Sequence, residues 1–89
     1  MNSRTTRAFR ARFAALPAQV RHRAKKAYQQ FRDEPSHPGL QFKKVHDDPL
    51  IYSVRVGLGY RALGAMAGDT VTWFWIGSHA EYDKLLDQL

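Results

Sequence analysis

The C-terminal third of the chain decides the fold, and it reads YRALGAMAGDTVTWFWIGSHAEYDKLLDQL over residues 60–89. Gly68 and Asp69 are turn residues that separate two runs rich in strand-forming residues, which predicts a hairpin of strands 60–67 and 70–76. The second run is apolar at almost every position. We therefore expect its strand to lie inside the sheet, with a helix covering one side.

A helix start follows this hairpin directly. Ser78-His79-Ala80-Glu81 has the capping-box pattern, in which the serine hydroxyl accepts from a first-turn N–H and the glutamate reaches back to the serine N–H. Four apolar residues then fall on one helical stripe, namely Tyr82, Leu85, Leu86 and Leu89. The stripe predicts a short terminal helix that docks on the sheet or on a partner.

Upstream of the hairpin, the apolar residues alternate with polar ones. Leu40 and Phe42 alternate with Gln41 and Lys43, and the same pattern continues through Tyr52, Val54 and Val56. Period two is typical of strands with one buried face. With the turn at Gly57-Leu58-Gly59, this predicts a sheet of four strands, mainly antiparallel because hairpins connect them.

The N-terminal part has a helical period instead. Apolar residues recur at three- and four-residue spacing, at Phe9, Phe13, Leu16, Val20, Ala24, Ala27, Tyr28 and Phe31. Pro17 should begin a second helix, which ends near Asp33, and Met1–Thr6 is either flexible or a short first strand. The predicted fold class is α+β, with two N-terminal helices packed on a four-stranded sheet and a short C-terminal helix, in a single domain of residues 1–89.

Composition excludes several classes of protein. There is no cysteine, so disulfides and thiolate metal sites are absent. The longest apolar run, 73–77, is far shorter than the roughly 20 residues that a membrane span needs, and no signal-peptide pattern opens the chain. We expect a cytoplasmic protein that does not contact a membrane and carries no cofactor.

Charge is unevenly distributed along the chain. Residues 1–32 contain nine Arg and Lys and no carboxylate, whereas the remaining residues contain five basic and eight acidic side chains, so the net charge of +6 divides into +9 and −3. A basic half of this kind attracts polyanions such as nucleic acid or an acidic protein. The alternative interpretation, a solvated surface that only aids solubility, remains open on charge alone.

Among the four histidines, His79 has the most informative position. His22, His37 and His46 each fit an ordinary surface or loop role when considered singly. His79 lies in the first turn of the predicted terminal helix, where the positive end of the helix dipole disfavours an imidazolium and favours a ring that can accept a proton. The alternative is that His79 only fills a turn position.

Cations and aromatics are interleaved along the predicted strands. Lys43, Lys44, Arg55 and Arg61 lie on or beside strands that also carry Tyr52 and Tyr60, with Tyr82 nearby in the chain. Such a pattern can pair phosphates and stack unpaired bases, although an ordinary amphipathic sheet would look the same. A metal site made of histidines is disfavoured because no HxxxH-type spacing occurs.

Three strings, together with the order of elements, carry a resemblance to a known family. They are His37-Pro-Gly-Leu-Gln-Phe-Lys-Lys-Val-His46, Tyr52-Ser-Val-Arg-Val-Gly-Leu-Gly-Tyr-Arg61 and Trp75-Ile-Gly-Ser-His79-Ala-Glu-Tyr82. The chain resembles RelE/ParE-type toxins of type II toxin–antitoxin systems over nearly its whole length. The Gly-Tyr-Arg string is similar to RelE members, and the Gly-Ser-His string is similar to YafQ members.

The resemblance implies a metal-independent endoribonuclease that cleaves mRNA on the ribosome by attack of a 2′-hydroxyl on the adjacent phosphate. It implies His79 and His46 as the base and acid pair, in either order, with Arg61 and Arg55 on the phosphate. His37 and Tyr82 would be further site residues. RNA contacts would come from Lys43, Lys44, Arg21 and Lys25. Two positions depart from the YafQ pattern, since an aspartate is missing around Leu50 and Trp75 replaces an arginine.

The family also implies partners and alternatives. We expect a neighbouring antitoxin, acidic or amphipathic, on the Tyr82–Leu89 side and on the basic sheet face, in an assembly that could be a heterotetramer. One alternative is a non-enzymatic ParE-like inhibitor of DNA gyrase. Another is a basic RNA- or ribosome-binding module without chemistry.

Overall fold

One mixed sheet carries three helices in the computed structural model, which describes residues 1–89. The elements are β1 (Asn2–Thr5), α1 (Arg7–Ala14), α2 (Ala18–Asp33), a 3₁₀ turn (Pro38–Leu40), β2 (Lys43–His46), β3 (Ile51–Val56), β4 (Tyr60–Ala67), β5 (Thr70–Ser78) and α3 (His79–Asp87). The α+β prediction is confirmed. None of the three helices has both the length and the apolar character needed to cross a lipid bilayer.

The sheet has five strands rather than the predicted four, in the order β1-β5-β4-β3-β2. The additional strand is the N-terminal segment, β1, which pairs with β5 in parallel. Its ends are held by bonds from Asn2 N to Asp69 O (2.8 Å) and from Thr6 N to Trp73 O (3.0 Å). Because β1 has mostly exposed side chains, its sequence shows no apolar alternation that would distinguish a strand from a flexible end.

The strand predicted around Leu40–Lys43 begins later, at Lys43. Pro38–Leu40 form the 3₁₀ turn. The His37 side chain caps its start by accepting a hydrogen bond from Gly39 N. Gln41 then adopts a left-handed backbone with φ of 47°. Proline and this local capping bond therefore override the alternation of Leu40 and Phe42.

The two faces of the sheet are covered by different helices. On one face, Val54, Ala62, Val71 and Trp73 pack with Phe31 and with partly buried residues of α1 and α2. On the opposite face, Ile51 and Leu63 pack with Tyr82, Leu85 and Leu86 of α3. The predicted apolar stripe of the terminal helix thus docks on the sheet.

A β-bulge in β5 explains why this strand is apolar on both sides. Leu63 pairs with Trp75 and Gly64 pairs with Trp73, which leaves Phe74 as the additional residue. As a result Phe74 and Trp75 both face α3, while Trp73 and Ile76 face the other helices. The prediction that β5 lies inside the sheet, covered by helix, is confirmed.

Arg12 of α1 covers the part of β5 that β1 does not reach. The register with β1 ends at Trp73. Beyond it, Arg12 Nε donates to Ile76 O (2.7 Å), its guanidinium lies 4.9 Å from the Trp75 ring centroid, and it contacts Glu81 Oε2 at 3.3 Å. One side chain therefore joins α1, β5 and α3.

Gly64 provides the first test of this packing. A Cβ at this position would lie 2.5 Å from Val71 Cγ2 and 2.8 Å from Trp73 Cε3, inside the core between β4 and β5. We expect Gly64→Ala to lower the free energy of unfolding by about 1–3 kcal/mol, the usual cost of overpacking. Urea denaturation measures this, with Gly59→Ala as the control because nothing lies within 4 Å of its Cβ position. Equal stability of the two variants would contradict the packing.

The capping box of α3 provides a second test. Hydrogen bonds from the Ser78 backbone and hydroxyl, together with Arg12, lower the pKa of Glu81 below its ordinary value. This carboxylate therefore stabilises the fold above the pKa it has in the unfolded chain, and the contribution is lost as pH falls through the lowered, folded-state pKa.

We expect Glu81→Ala to cost about 1 kcal/mol at pH 7, the usual value of a helix cap, and to cost much less at a pH below the folded-state pKa of Glu81. Urea denaturation of both chains at the two pH values measures the difference. The control is Asp87→Ala, at the opposite end of α3. A carboxylate at that end opposes the helix dipole, so its removal should not lower stability at pH 7. A cost that stays the same at both pH values would show that the carboxylate is not the stabilising group.

Candidate functional site at the start of the C-terminal helix

Arg61 lies buried between the sheet and α3. Its side chain is held by Ser53, whose hydroxyl accepts from Nε (3.0 Å) and from a terminal nitrogen, and by Gln41, whose Oε1 accepts from the other terminal nitrogen (3.0 Å). The Tyr82 ring covers the guanidinium at 5.2 Å. Arg61 is 3% exposed and Ser53 is 0% exposed, so this cation is almost completely removed from solvent.

No carboxylate compensates this buried charge. The partners of Arg61 are a hydroxyl, an amide, a carbonyl and a ring, and Arg55 lies directly opposite it across the β3–β4 ladder. Burial lowers the pKa of Arg61 below its ordinary value, and Arg55 acts in the same direction, whereas Tyr82 opposes the change. An uncompensated cation in a low-dielectric position favours an anion nearby, which makes it a candidate for a functional site.

The loop Gly57–Gly59 brings His79 to the same end of the sheet. Arg55 Nε donates to Gly57 O (3.0 Å), and the backbone N–H of His79 donates to Gly59 O (2.8 Å). Gly57 has φ of 63°, and a Cβ on it would lie 2.9 Å from Arg23 Cδ. The loop is therefore flanked by two exposed or half-buried arginines and one histidine.

His79 is oriented by a carboxylate on its own helix. Nδ1 lies 3.2 Å from Asp83 Oδ2, and the ring packs edge-on against Tyr82 with centroids 5.6 Å apart. If Nδ1 carries the proton that Asp83 accepts, Nε2 of the neutral ring is left as an acceptor. The side chain is 54% exposed, so this nitrogen can meet a substrate.

The other two predicted histidines do not join this group. His37 Nδ1 accepts from Gly39 N (3.0 Å), and the side chain lies beside the C-terminal part of α2. His46 Nδ1 contacts Pro49 O at 2.8 Å, and His46 pairs with Ile51 at the far end of β3. Ile51 in turn pairs with Ala65, which is four residues from Arg61 on β4, and His46 lies two strands away from β4. The Cα atoms of His46 and Arg61 are therefore about 16 Å apart. The resemblance implied all three histidines as residues of one site, and of these the structure brings only His79 to Arg61 and Tyr82.

The predicted RNA-binding cations are divided between the two faces. Lys43 is opposite Ser53 and so projects to the α3 face with Arg55, whereas Lys44 is opposite Tyr52 on the other face and forms an ion pair with Asp47 (2.7 Å). Arg21 donates to Leu16 O in the turn between α1 and α2, and Lys25 borders the space between these two helices. Only Lys43 and Arg55 are on the same face as Arg61.

Sequence reasoning missed four residues of this site: Arg23, Gln41, Ser53 and Asp83. The spacing of His79 and Asp83, four residues apart on a predicted helix, was a signal that could have identified Asp83. Ser53 lies on the same face of the sheet as Arg61, because Ser53 pairs with Leu63 and Arg61 pairs with Arg55 in the β3–β4 ladder. Knowledge of the strand register would have indicated this. Gln41 and Arg23 arrive from distant elements, and nothing local in the sequence points to them.

Tyr82 is the one aromatic residue that links these groups. It is 4% exposed, its ring contacts both His79 and Arg61, and its hydroxyl has no hydrogen-bond partner. The Tyr82 ring therefore connects the exposed imidazole of His79 with the buried guanidinium of Arg61. The half-buried Arg55 completes the site from the position opposite Arg61 on β3.

Solved structures of bacterial and archaeal toxins are similar to this fold. RelE in the RelB–RelE antitoxin–toxin complex of Methanococcus jannaschii has a TM-score of 0.70 at 21% identity, with 92% of this chain and 96% of that chain covered. The YoeB/ParE toxin of Agrobacterium tumefaciens has a TM-score of 0.69 at 12% identity, covering 89% and 99%. The isolated E. coli RelE toxin has 0.63 at 15% identity, covering 99% and 98%. At these identities the likeness shows the fold alone.

Sequence comparison identifies the family itself. No curated protein sequence matches the chain significantly. The chain does match a family model, described as a ParE-like toxin domain, over residues 18–84. Since this match covers most of the chain, from the start of α2 into α3, the protein belongs to the ParE-like toxin family of the RelE/ParE superfamily.

Proposed function

We propose that this chain is the toxin of a type II toxin–antitoxin system and that it acts in the cytoplasm as an endoribonuclease on mRNA. The observation that carries the proposal is the pairing of His79 with Asp83 at the end of the sheet where two arginines without a carboxylate partner, Arg55 and Arg61, lie opposite each other. The Tyr82 ring contacts both His79 and Arg61. A proton acceptor next to uncompensated cations is the combination that RNA transesterification requires.

In the proposed reaction, His79 Nε2 removes the proton from a 2′-hydroxyl, and the 2′-oxygen attacks the adjacent phosphorus. The bond from phosphorus to the 5′-oxygen breaks, leaving a 2′,3′-cyclic phosphate on one fragment and a 5′-hydroxyl on the other. Asp83 stabilises the imidazolium that forms, as a carboxylate does when it accepts from the second ring nitrogen. Negative charge on the phosphorane is stabilised by the arginines.

Arg55 is better placed than Arg61 to contact this phosphate. Its Nε is engaged by Gly57 O, which leaves both terminal nitrogens available, and its side chain is half-buried rather than enclosed. Arg61 is covered by Tyr82, so we assign it a positioning role. It supports the ring that packs against His79 and raises the positive potential around the phosphate.

The departing 5′-oxygen needs a proton, and no second imidazole lies beside His79. We therefore propose that a group supplied by the ribosome provides this proton. The consequence is that cleavage should be much faster on ribosome-bound mRNA than on free RNA.

A toxin of this type requires restraint by an antitoxin. The M. jannaschii relative was solved as a complex with its antitoxin, and we propose a cognate antitoxin for this chain as well. The first 32 residues, with nine cations and no carboxylate, support an acidic partner.

One finding favours a second candidate function. The matched family is named for ParE, and the resemblance connects ParE members with inhibition of DNA gyrase by binding alone. The two functions differ in what stops first after brief induction: protein synthesis for a ribonuclease, or DNA replication for a gyrase inhibitor.

Removal of the proposed base gives the first functional prediction. His79→Ala should lower cleavage of ribosome-bound mRNA by about 10²- to 10⁴-fold, the usual contribution of general acid–base catalysis, while stability stays the same because the side chain is half exposed. Mapping 5′ ends of mRNA after brief induction measures the effect. Asp83→Asn should give an intermediate loss, and His22→Ala, on exposed α2, should give none. If the His79→Ala chain cleaved mRNA as fast as the wild type, His79 would not be the base.

The different settings of the two arginines give another prediction. Arg55→Ala should lower cleavage while costing about 0.5–1 kcal/mol of stability, because the half-buried side chain loses a single hydrogen bond, to Gly57 O. Arg61→Ala should also cost about 1–3 kcal/mol, because it leaves Ser53 and Gln41 without their donor. Urea denaturation and the same mRNA assay separate the two effects, with Arg4→Ala on exposed β1 as the control. A large loss of stability in Arg55→Ala would show that the roles are reversed.

A further inference from the structure

The two edges of β5 are held differently just before α3 begins. On the β4 side the ladder continues to Ser78, and the His79 N–H then donates to Gly59 O (2.8 Å). On the outer side the ladder with β1 ends at Trp73. The residues that lead from this point to His79 therefore have no strand beside them on the outer edge.

Arg12 of α1 occupies this outer edge in place of a strand. Its Nε donates to Ile76 O (2.7 Å), and because Ile76 is 1% exposed, this carbonyl needs a partner within the protein. The guanidinium also lies over the Trp75 ring, 4.9 Å from the centroid. Gly77 makes room for both groups, since a Cβ there would lie 2.9 Å from Arg12 Nη2 and 2.6 Å from Trp75 Cζ2. Three consecutive residues before the helix are thus fitted around one guanidinium.

The same guanidinium reaches the first turn of α3. Arg12 Nη2 contacts Glu81 Oε2 at 3.3 Å, and the other oxygen of this carboxylate accepts from the Ser78 N–H (3.1 Å). His79 is the first residue of the helix that this network caps. Because His79 Nδ1 lies 3.2 Å from Asp83 on the same helix, the imidazole moves with the helix rather than independently of it.

We propose that Arg12 is a positioning residue of the candidate site, which fixes the end of β5 and the first turn of α3 and thereby the direction of His79 Nε2. The inference rests on the proposed function, because Arg12 would affect cleavage only through an imidazole that acts in the reaction. A misplacement of about 1 Å caused by a distant change can lower a rate about 10²-fold. Lysine should not replace Arg12, since one ammonium cannot serve a carbonyl and a carboxylate while stacking flat on an indole.

Arg10 provides a matched control on the same helix. It donates to Thr5 O (2.8 Å) and to the Thr5 hydroxyl (3.0 Å), so it joins α1 to β1 as Arg12 joins α1 to β5. Replacing either arginine by alanine removes one positive charge and the bonds between α1 and one strand. Of the two, Arg12 is the one bonded to β5 and α3. A difference between the two variants therefore reports the hold on the site, and neither charge nor the anchoring of α1 explains it.

The kinetic test is cleavage of mRNA on purified ribosome complexes, with kcat and KM measured at equal concentrations of folded chain. We expect Arg12→Ala to lower kcat about 10- to 100-fold and to change KM by less than about twofold, because the base is misdirected while RNA binding stays intact. Arg12→Lys keeps the charge and should still lower kcat about fivefold, the value of roughly one lost hydrogen bond. Arg10→Ala should keep the wild-type kcat.

Hydrogen exchange tests the positioning without any cleavage. In Arg12→Ala, the His79 amide that donates to Gly59 O should exchange about tenfold faster, because the start of α3 opens locally. The amide of Leu63, which is 0% exposed in β4, should accelerate less. A general loss of stability would accelerate both amides alike, so this comparison separates positioning from a merely structural role. Arg10→Ala should leave the His79 amide unchanged.

Three results would overturn the proposal: equal kcat for Arg12→Ala and Arg10→Ala, wild-type kcat for Arg12→Lys, or an unchanged His79 amide in both Arg12 variants. If Arg12→Ala does not fold, Arg12→Lys carries the kinetic and the exchange test alone. A failure of the proposed function gives a different pattern. In that case His79→Ala would leave cleavage intact, while the His79 amide would still exchange faster in the Arg12 variants.

Discussion

The pairing of β4 with β5 is the interaction on which the other parts of the molecule depend. Gly64 allows Val71 and Trp73 to approach the backbone of β4, and the bulge at Phe74 turns the rest of β5 so that Trp75 faces α3. Because β5 continues without a loop into Ser78 and the helix cap, the same pairing sets where α3 begins. His79 therefore owes its position to the register of a hairpin.

The buried arginine of the candidate site lowers the stability of the fold. A guanidinium that is 3% exposed and lacks a carboxylate is expensive to bury, and its hydrogen bonds to Ser53 and Gln41 offset only part of that cost. A fold selected for stability alone would gain from replacing Arg61, together with its partners Ser53 and Gln41, by apolar residues of similar total volume. The retention of a cation beside an exposed imidazole is understandable if the surface has to attract phosphate.

The two faces of the sheet are suited to different tasks. The α3 face has a closed apolar cluster and a small polar site at its end, whereas the α1 and α2 face has an open cleft bordered by cations. In a chain of 89 residues, an unfilled cleft leaves the core marginal, because small domains bury a limited share of their apolar surface.

The sequence by itself determined the features that depend on neighbouring residues. The hairpin at Gly68-Asp69, the capping box at Ser78 and Glu81, and the helical stripes appeared where expected, because turn chemistry, caps and periodicity act within a few residues. The strings that resemble the family also predicted Arg61 and His79 as site residues, and both contact Tyr82 in the structure.

Tertiary structure alone decided the long-range outcomes. It placed β1 beside β5, directed His37 and His46 to local bonds away from His79, and enclosed Arg61 beneath Tyr82. The reason is physical: burial and convergence depend on which distant segments share a strand register and a face of the sheet, and one residue of bulge or turn reverses the face on which a side chain lies.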